Sequence, residues 1–148
     1  MDLSIRTAIM ADHEKICDLV WRYAHKFAVG KPRFETMSAS IANLINDSDS
    51  EIFVCVGNRN SEAPDGEIRA AGGASLSPDA MSGNLLAYGL WLVSIEPRQG
   101  FAVARYMIAW AKSKNAVPVC SADAKMSNFY QKLGLMPREV VFVGNCNG

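Results

Sequence analysis

The spacing of apolar residues changes several times along the chain, and each change marks an element. Leu3 to Ile9 alternates Leu, Ile and Thr with polar residues, the period of a short strand. From Ile16 the spacing widens to three and four residues through Leu19, Val20, Tyr23 and Phe27. That predicts one helix with a single buried face, with Asp12 as its cap. Gly30 ends it, and Pro32 can open a second helix striped by Phe34, Met37, Ile41, Leu44 and Ile45 as far as Asn46. Beyond the turn cluster Asn46 to Ser50, two strands are predicted, Glu51 to Val56 and Ile68 to Leu76. The polar stretch Asn58 to Gly66 joins them through Pro64-Asp65-Gly66, where Pro fixes φ and Gly permits a positive one. Gly72-Gly73 predicts a bulge or a close backbone approach in the second strand.

After another turn region, Ser77 to Asn84, comes the longest apolar run, Leu85 to Ile95, which reads as a strand buried on both faces. It breaks at Glu96-Pro97-Arg98-Gln99-Gly100. A helix then carries Ala104, Met107, Ile108 and Ala111 on one side and Arg105 and Lys112 on another. A strand, a short Gly-containing turn and a helix N-terminus together form a place for an anion, because first-turn amides and the helix dipole both point outward. Val117 to Cys120 is a short strand whose Pro118 cannot donate to a ladder, so it belongs at an edge or splayed from a neighbour. A helix from Ala122 or Asp123 to Leu133 turns Met126, Phe129 and Leu133 inward and ends on Gly134, with Leu135 folding back. Glu139 to Val143 is a last strand, followed by a polar tail. The order β-α-α-β-β-β-α-β-α-β predicts an α+β class with a partly antiparallel sheet, in a single domain over residues 1–148.

Composition removes some functions. Fifteen basic and 15 acidic side chains give zero formal charge, and no extended basic run provides a footprint for nucleic acid. Cys17, Cys55, Cys120 and Cys146 lie far apart without clustered His, a poor pattern for a metal site. His13 and His25 sit twelve residues apart, off one helical face. No apolar stretch is long enough to cross a membrane and none has signal-peptide form, so a reduced, cytoplasmic protein is expected.

Two stretches resemble one family. Gly100-Phe101-Ala102, opening a helix after a strand, matches the second half of the acetyl-CoA motif Gln/Arg-x-x-Gly-x-Gly/Ala of the GNAT superfamily of N-acetyltransferases. Its first half departs, since Pro97 takes the Gln/Arg place with Arg98 and Gln99 displaced by one and two residues. Asn128 to Leu135 (NFYQKLGL) closely resembles the family's C-terminal signature, Phe-Tyr-x-Lys-x-Gly-Phe. The element order also matches that of the GNAT fold. The resemblance implies a mixed, mostly antiparallel sheet of about six to seven strands flanked by four helices, splayed between strands four and five, with the pantetheine arm of acetyl-CoA in the gap.

The resemblance also implies roles. Val93 and Ile95 would pair their backbone with the pantetheine amides. Gly100, Phe101, Ala102 and Val103 would offer amides to the pyrophosphate, assisted by Arg98 or Gln99. Tyr130 would be the general acid that protonates the departing thiolate, a suitable match because phenol and thiol have pKa values of about 10 and about 8.5. Family members often carry a Glu on the fourth strand as base; here that place falls near Gly89, and the candidate base is Glu96 at the strand's end. Where a CoA-contacting Asn often begins the last helix, this chain has Asp123. The implied function is acetyl transfer from acetyl-CoA to a primary amine, on a small molecule or a protein, with no metal, nucleic acid or membrane partner. The alternative is a catalytically degenerate module of the same fold that binds or scaffolds. Family habit and the apolar Val140 to Val143 are compatible with a homodimer.

Overall fold

The computed structural model describes residues 4–57, 66–121 and 124–138. Among the described residues one sheet holds five strands in chain order: β1 (Ser4–Thr7), β2 (Ser50–Val56), β3 (Ile68–Pro78), β4 (Leu85–Ser94) and β5 (Val117–Cys120). Neighbours pair antiparallel until β4 and β5, which are parallel. Helices α1 (His13–Trp21), α2 (Ala24–Phe27) and α3 (Phe34–Asn46) precede β2; α4 (Pro97–Ser113) links β4 to β5, and α5 (Ala124–Lys132) follows β5. The architecture is the expected α+β one. The further strand expected at Glu139 to Val143, the turn at Pro64-Asp65, Asp123 and Cys146 lie outside the described residues.

Strand alternation sorts the core into two layers. Ile52, Val54 and Val56 face α1 and α3, joining Ile16, Leu19, Val20 and Ile41. Phe53 and Cys55, on the opposite face of β2, pack with Val103, Met107 and Trp110 of α4. Covered on both sides, β2 is buried almost throughout, which is why its sequence reads Ile-Phe-Val-Cys-Val without polar interruption.

Three local expectations are corrected. The first helix does not run unbroken to Phe27. Tyr23 N–H donates to the Val20 carbonyl (3.0 Å) and Lys26 N–H to that of Tyr23 (2.9 Å), and these three-residue steps break the ladder into α1 and α2. Asp12 precedes α1 but makes no side-chain cap. Its buried carboxylate turns back to accept from Arg6 Nη1 (2.7 Å), Arg6 Nη2 (2.9 Å) and the Ile9 amide (2.9 Å), a charged, bidentate partner in place of a helix-end amide. Finally, β4 is not buried on both faces: Tyr88 is 40% and Leu90 46% exposed. A paired neighbour protects a strand's edge and not its faces: Tyr88 is exposed although it lies opposite Val119 of β5, and Leu90 is the extra residue of a bulge.

Two bulges shape the sheet. The β2–β3 register runs Cys55 to Ala70 and then Val56 to Ile68, leaving Arg69 as the extra residue. Between β3 and β4 it runs Gly73 to Trp91 and Ala74 to Gly89, leaving Leu90 extra. The expected close approach at Gly72-Gly73 is present. A Cβ on Gly72 would meet Met107 Sδ at 2.5 Å, Val103 Cγ1 at 3.0 Å and Leu92 Cδ1 at 3.2 Å, while one on Gly73 would meet the Trp91 ring at 3.0 Å. Gly72→Val therefore overfills the α4 contact, and urea unfolding should show a loss of about 1–3 kcal/mol.

Candidate active site

The site is built where β4 outruns β5. Their pairing ends at Gly89 and Cys120, while β4 continues to Ser94 and its chain enters α4 at Pro97. From Leu90 onward the β5 side of β4 has no strand beside it among the described residues. Pro118 lies within the paired stretch, opposite Ala87, on a strand that stands at the sheet's edge among the described residues, and the bulge at Leu90 begins where the pairing stops. Bulges bend a strand and end pairing, so the two features have one cause.

Hydrogen-bond parity decides which backbone groups face the open side. Ile95 N–H donates to the Arg69 carbonyl of β3 at 2.9 Å. Successive residues of an antiparallel strand alternate between pairing with a neighbour and facing away from it. Val93, opposite Ala71, then pairs toward β3 with Ile95, and Leu92 and Ser94 turn their N–H and C=O outward. Leu92 and Ser94, and not the Val93 and Ile95 singled out in the sequence, thus have their backbone groups on the open side. No sequence signal marks this choice, because it depends on the register set by two bulges.

Helix α4 begins earlier than its sequence suggests, so Gly100 lies inside its first turn rather than before it. An α-helix starting at Pro97 uses the amides of Phe101, Ala102 and Val103 in its own ladder. Gln99 and Gly100 N–H both reach the Glu96 carbonyl, at 3.1 and 3.3 Å, and Pro97 has no N–H. The amides of residues 100–103 are therefore not turned toward a pyrophosphate, as expected of them. What the helix start offers an anion is its dipole and the exposed guanidinium of Arg98. Gln99 is buried, and its Oε1 accepts from Glu96 N–H at 3.1 Å, closing the helix start from within. Gly100 is buried too; a Cβ there would meet Ser94 Oγ at 2.7 Å. Hence the missing side chain lets α4 sit against the end of β4. Val103 is fully buried, while Phe101 and Ala102 are half-buried.

Glu96 caps α4 with its side chain 59% exposed and ion-paired to Arg69 (Nη2–Oε1, 3.2 Å). The bulge at Arg69 directs this side chain toward the β4–α4 corner, where it also reaches Glu67 at 3.3 Å. A carboxylate at a helix N-terminus would repel an arriving polyanion, and the guanidinium offsets that charge.

Tyr130 is carried by α5. Its ring packs edge-on against Phe129 at 5.3 Å, and Phe129 packs edge-on against Phe101 of α4 at 5.4 Å. Burial pushes the Cys120 thiol up, and a hydrogen bond with Tyr130 partly opposes that rise. The phenol therefore stands at Cys120, the last residue of β5 to pair with β4. Gly134, at φ +85°, ends the helix, and Leu135 N–H returns to the Tyr130 carbonyl at 3.1 Å, so the Gly-Leu of the C-terminal signature fixes the backbone around the tyrosine.

No family model matches the sequence, nor does any curated protein. Solved structures do match over nearly the whole chain. A glucosamine-6-phosphate N-acetyltransferase from Arabidopsis thaliana has a TM-score of 0.75 at 16% identity, with 99% of both chains covered. AAC(6')-Iy, in complex with the bisubstrate analogue CoA-S-monomethyl-acetylneamine, has a TM-score of 0.73 at 14% identity, covering 99% of this chain and 100% of that one. A GNAT family acetyltransferase from Staphylococcus aureus gives 0.70 at 11%, covering 98% and 99%.

The chain has the GNAT fold.

This GNAT-fold chain presents an open strand edge, a helix N-terminus with one exposed Arg, and a phenol at the parting of two strands. Among the described residues no helix is long and apolar enough to cross a membrane.

Proposed function

We propose that the protein is an acetyl-CoA-dependent N-acetyltransferase that acetylates a primary amine by direct attack on the thioester. The observation that carries this reading is the β4 edge left open beyond Gly89, ending at the N-terminus of α4 with the Tyr130 phenol beside the last β5 pair. Outward backbone groups of Leu92 and Ser94 hold the pantetheine amides and polarise the thioester carbonyl. Arg98 and the α4 dipole attract the phosphates. The neutral amine forms the new C–N bond, the C–S bond breaks, and Tyr130 gives its proton to the thiolate. Glu96, or water next to it, removes the amine proton. Acetyl-CoA supplies the activated acyl group, and the protein's part is alignment, carbonyl polarisation and proton transfer.

Calorimetry with acetyl-CoA tests this directly. One-to-one binding in the micromolar range is expected, together with stabilisation of about 2.7 kcal/mol at a hundredfold excess over Kd. Failure to bind up to millimolar concentration would overturn it. The second reading, a non-catalytic module on the same fold, draws on the first turn of α4. There Pro97 lacks an amide, Glu96 places a carboxylate, and the Gln99 and Gly100 amides are taken by the Glu96 carbonyl.

A further inference from the structure

Folding stability gives a poor account of Arg69. It is the extra residue of the β2–β3 bulge, largely buried, with its stem over Gly57. A Cβ on Gly57 would collide with Arg69 Cδ and stand 3.1 Å from Cγ, so the bulge and the glycine together make room for this one stem. Its Nε is buried and has no acceptor among the described residues. The partners of the guanidinium are two exposed carboxylates, Glu67 through Nη1 (3.3 Å) and Glu96 through Nη2 (3.2 Å). Exposed pairs contribute little to stability, whereas a buried donor without an acceptor detracts from it. An unfavourable balance of that kind is expected where a residue serves function.

What Arg69 holds explains its place. Its carbonyl accepts from Ile95 N–H at 2.9 Å and its guanidinium takes Glu96, so backbone and side chain grip two successive residues beyond the end of β4. Glu96 caps α4, and its carboxylate occupies the positive end of that helix, where an arriving anion would be drawn. Without a counter-charge, Glu96 is a resident anion that competes for that place.

We propose that Arg69 is a positioning residue for the phosphates of the cosubstrate, acting through Glu96: it holds and neutralises the carboxylate that would otherwise keep them from the start of α4. The inference rests on the acetyltransferase reading, which brings a polyanion to this helix. Removing the guanidinium alone leaves both carboxylates against Arg98, a shift of one charge near the polyanion. Removing the Glu96 charge as well restores the balance.

Calorimetry on the full chain tests this, with acetyl-CoA and inorganic pyrophosphate as separate ligands, at about 0.02 M and about 0.5 M sodium chloride. Arg69→Gln, its Tm checked, should weaken acetyl-CoA about five- to tenfold at low salt and about twofold or less at high salt, because salt screens a field but does not mend a misplaced chain. Arg69→Lys keeps the charge without the fork and should stay within about threefold of the parent. Adding Glu96→Gln to Arg69→Gln should return the affinity to within about twofold. Lys112→Gln removes the same charge about 20 Å away along α4 and should change it by less than about twofold. Should Arg69→Gln not fold, Glu96→Gln alone decides: it should tighten acetyl-CoA about threefold at low salt, and no tightening overturns the proposal. The proposal also falls if Arg69→Gln binds like the parent, if its loss is equal at both salts, or if Glu96→Gln does not restore it. An equal loss in Arg69→Lys or Lys112→Gln has the same meaning. Acetyl-CoA bound without regard to Arg69 overturns this inference alone. Pyrophosphate bound with the expected dependence on Arg69 and Glu96, while acetyl-CoA does not bind, supports it and sinks the acetyltransferase reading. Binding of neither ligand overturns both.

Discussion

Tyr130→Phe is expected to lower kcat by about 10²–10⁴-fold while leaving acetyl-CoA binding within about twofold. The substitution removes one oxygen and keeps the ring. The edge-on contact with Phe129, and through it the link to Phe101, should therefore persist. What disappears is the proton donor beside Cys120, at the point where β4 and β5 part. Without it the thiolate must leave unprotonated or take its proton from water. Because the hydroxyl is proposed to act as bond breaking proceeds, the loss should fall on kcat and spare the equilibrium affinity. Steady-state kinetics together with calorimetry separate the two. An unchanged kcat would remove Tyr130 from the chemistry and leave the fold untouched.

The second large effect concerns stability. Asp12→Ala should cost about 3–5 kcal/mol, because it leaves the Arg6 guanidinium, only 20% exposed, beside an emptied partner site and also strips the Ile9 amide of its acceptor. Burial by itself would raise the Asp12 carboxyl, but hydrogen bonds from Arg6 and Ile9 and the charges of Arg6 and Lys15 outweigh it and hold the group below the usual carboxylate range. A depressed folded-state pKa has a definite sign: the stabilisation is full above the unfolded value of about 3.9 and is lost as pH falls through the folded one. Thermal melts of the parent protein should therefore lose Tm increasingly below about pH 4. That part of the acid sensitivity should vanish in Asp12→Asn, which keeps the shape and cannot titrate. A variant that melted in parallel with the parent across this range would show that the pair contributes nothing to the pH dependence.

Much of the scaffold is legible along the chain because it follows from one-dimensional periods. The stripe Phe34, Met37, Ile41, Leu44 places α3, the apolar Ile-Phe-Val-Cys-Val places a strand, and Pro118 marks β5 as the strand that stands at the sheet's edge among the described residues. Gly72-Gly73 and Gly134 are legible for the same kind of reason, as each is a local steric demand that a single residue meets. Tyr130 could be singled out because the resemblance there rests on a contiguous octet.

What the chain does not reveal is whatever depends on register and on distant partners. Asp12 has the sequence look of a helix cap, yet the approach of Arg6 makes it half of a buried ion pair. Val93 and Ile95 lie on the right strand, but bulges at Arg69 and Leu90 set the alignment that turns Leu92 and Ser94 toward the gap. Likewise, Gly100 to Val103 have the right spacing but lie within a helix that starts at Pro97 and keeps their amides for itself. The sequence by itself determined the order and class of the elements, the close approach at Gly72 and the tyrosine-bearing signature, since helix and strand periods and glycine sterics act over a few residues. Only the tertiary structure decided which backbone groups face the open strand edge and where Arg69 and Asp12 find their partners. Those depend on one-residue shifts between strands far apart in the chain, and a shift of one residue reverses the direction of every group that follows.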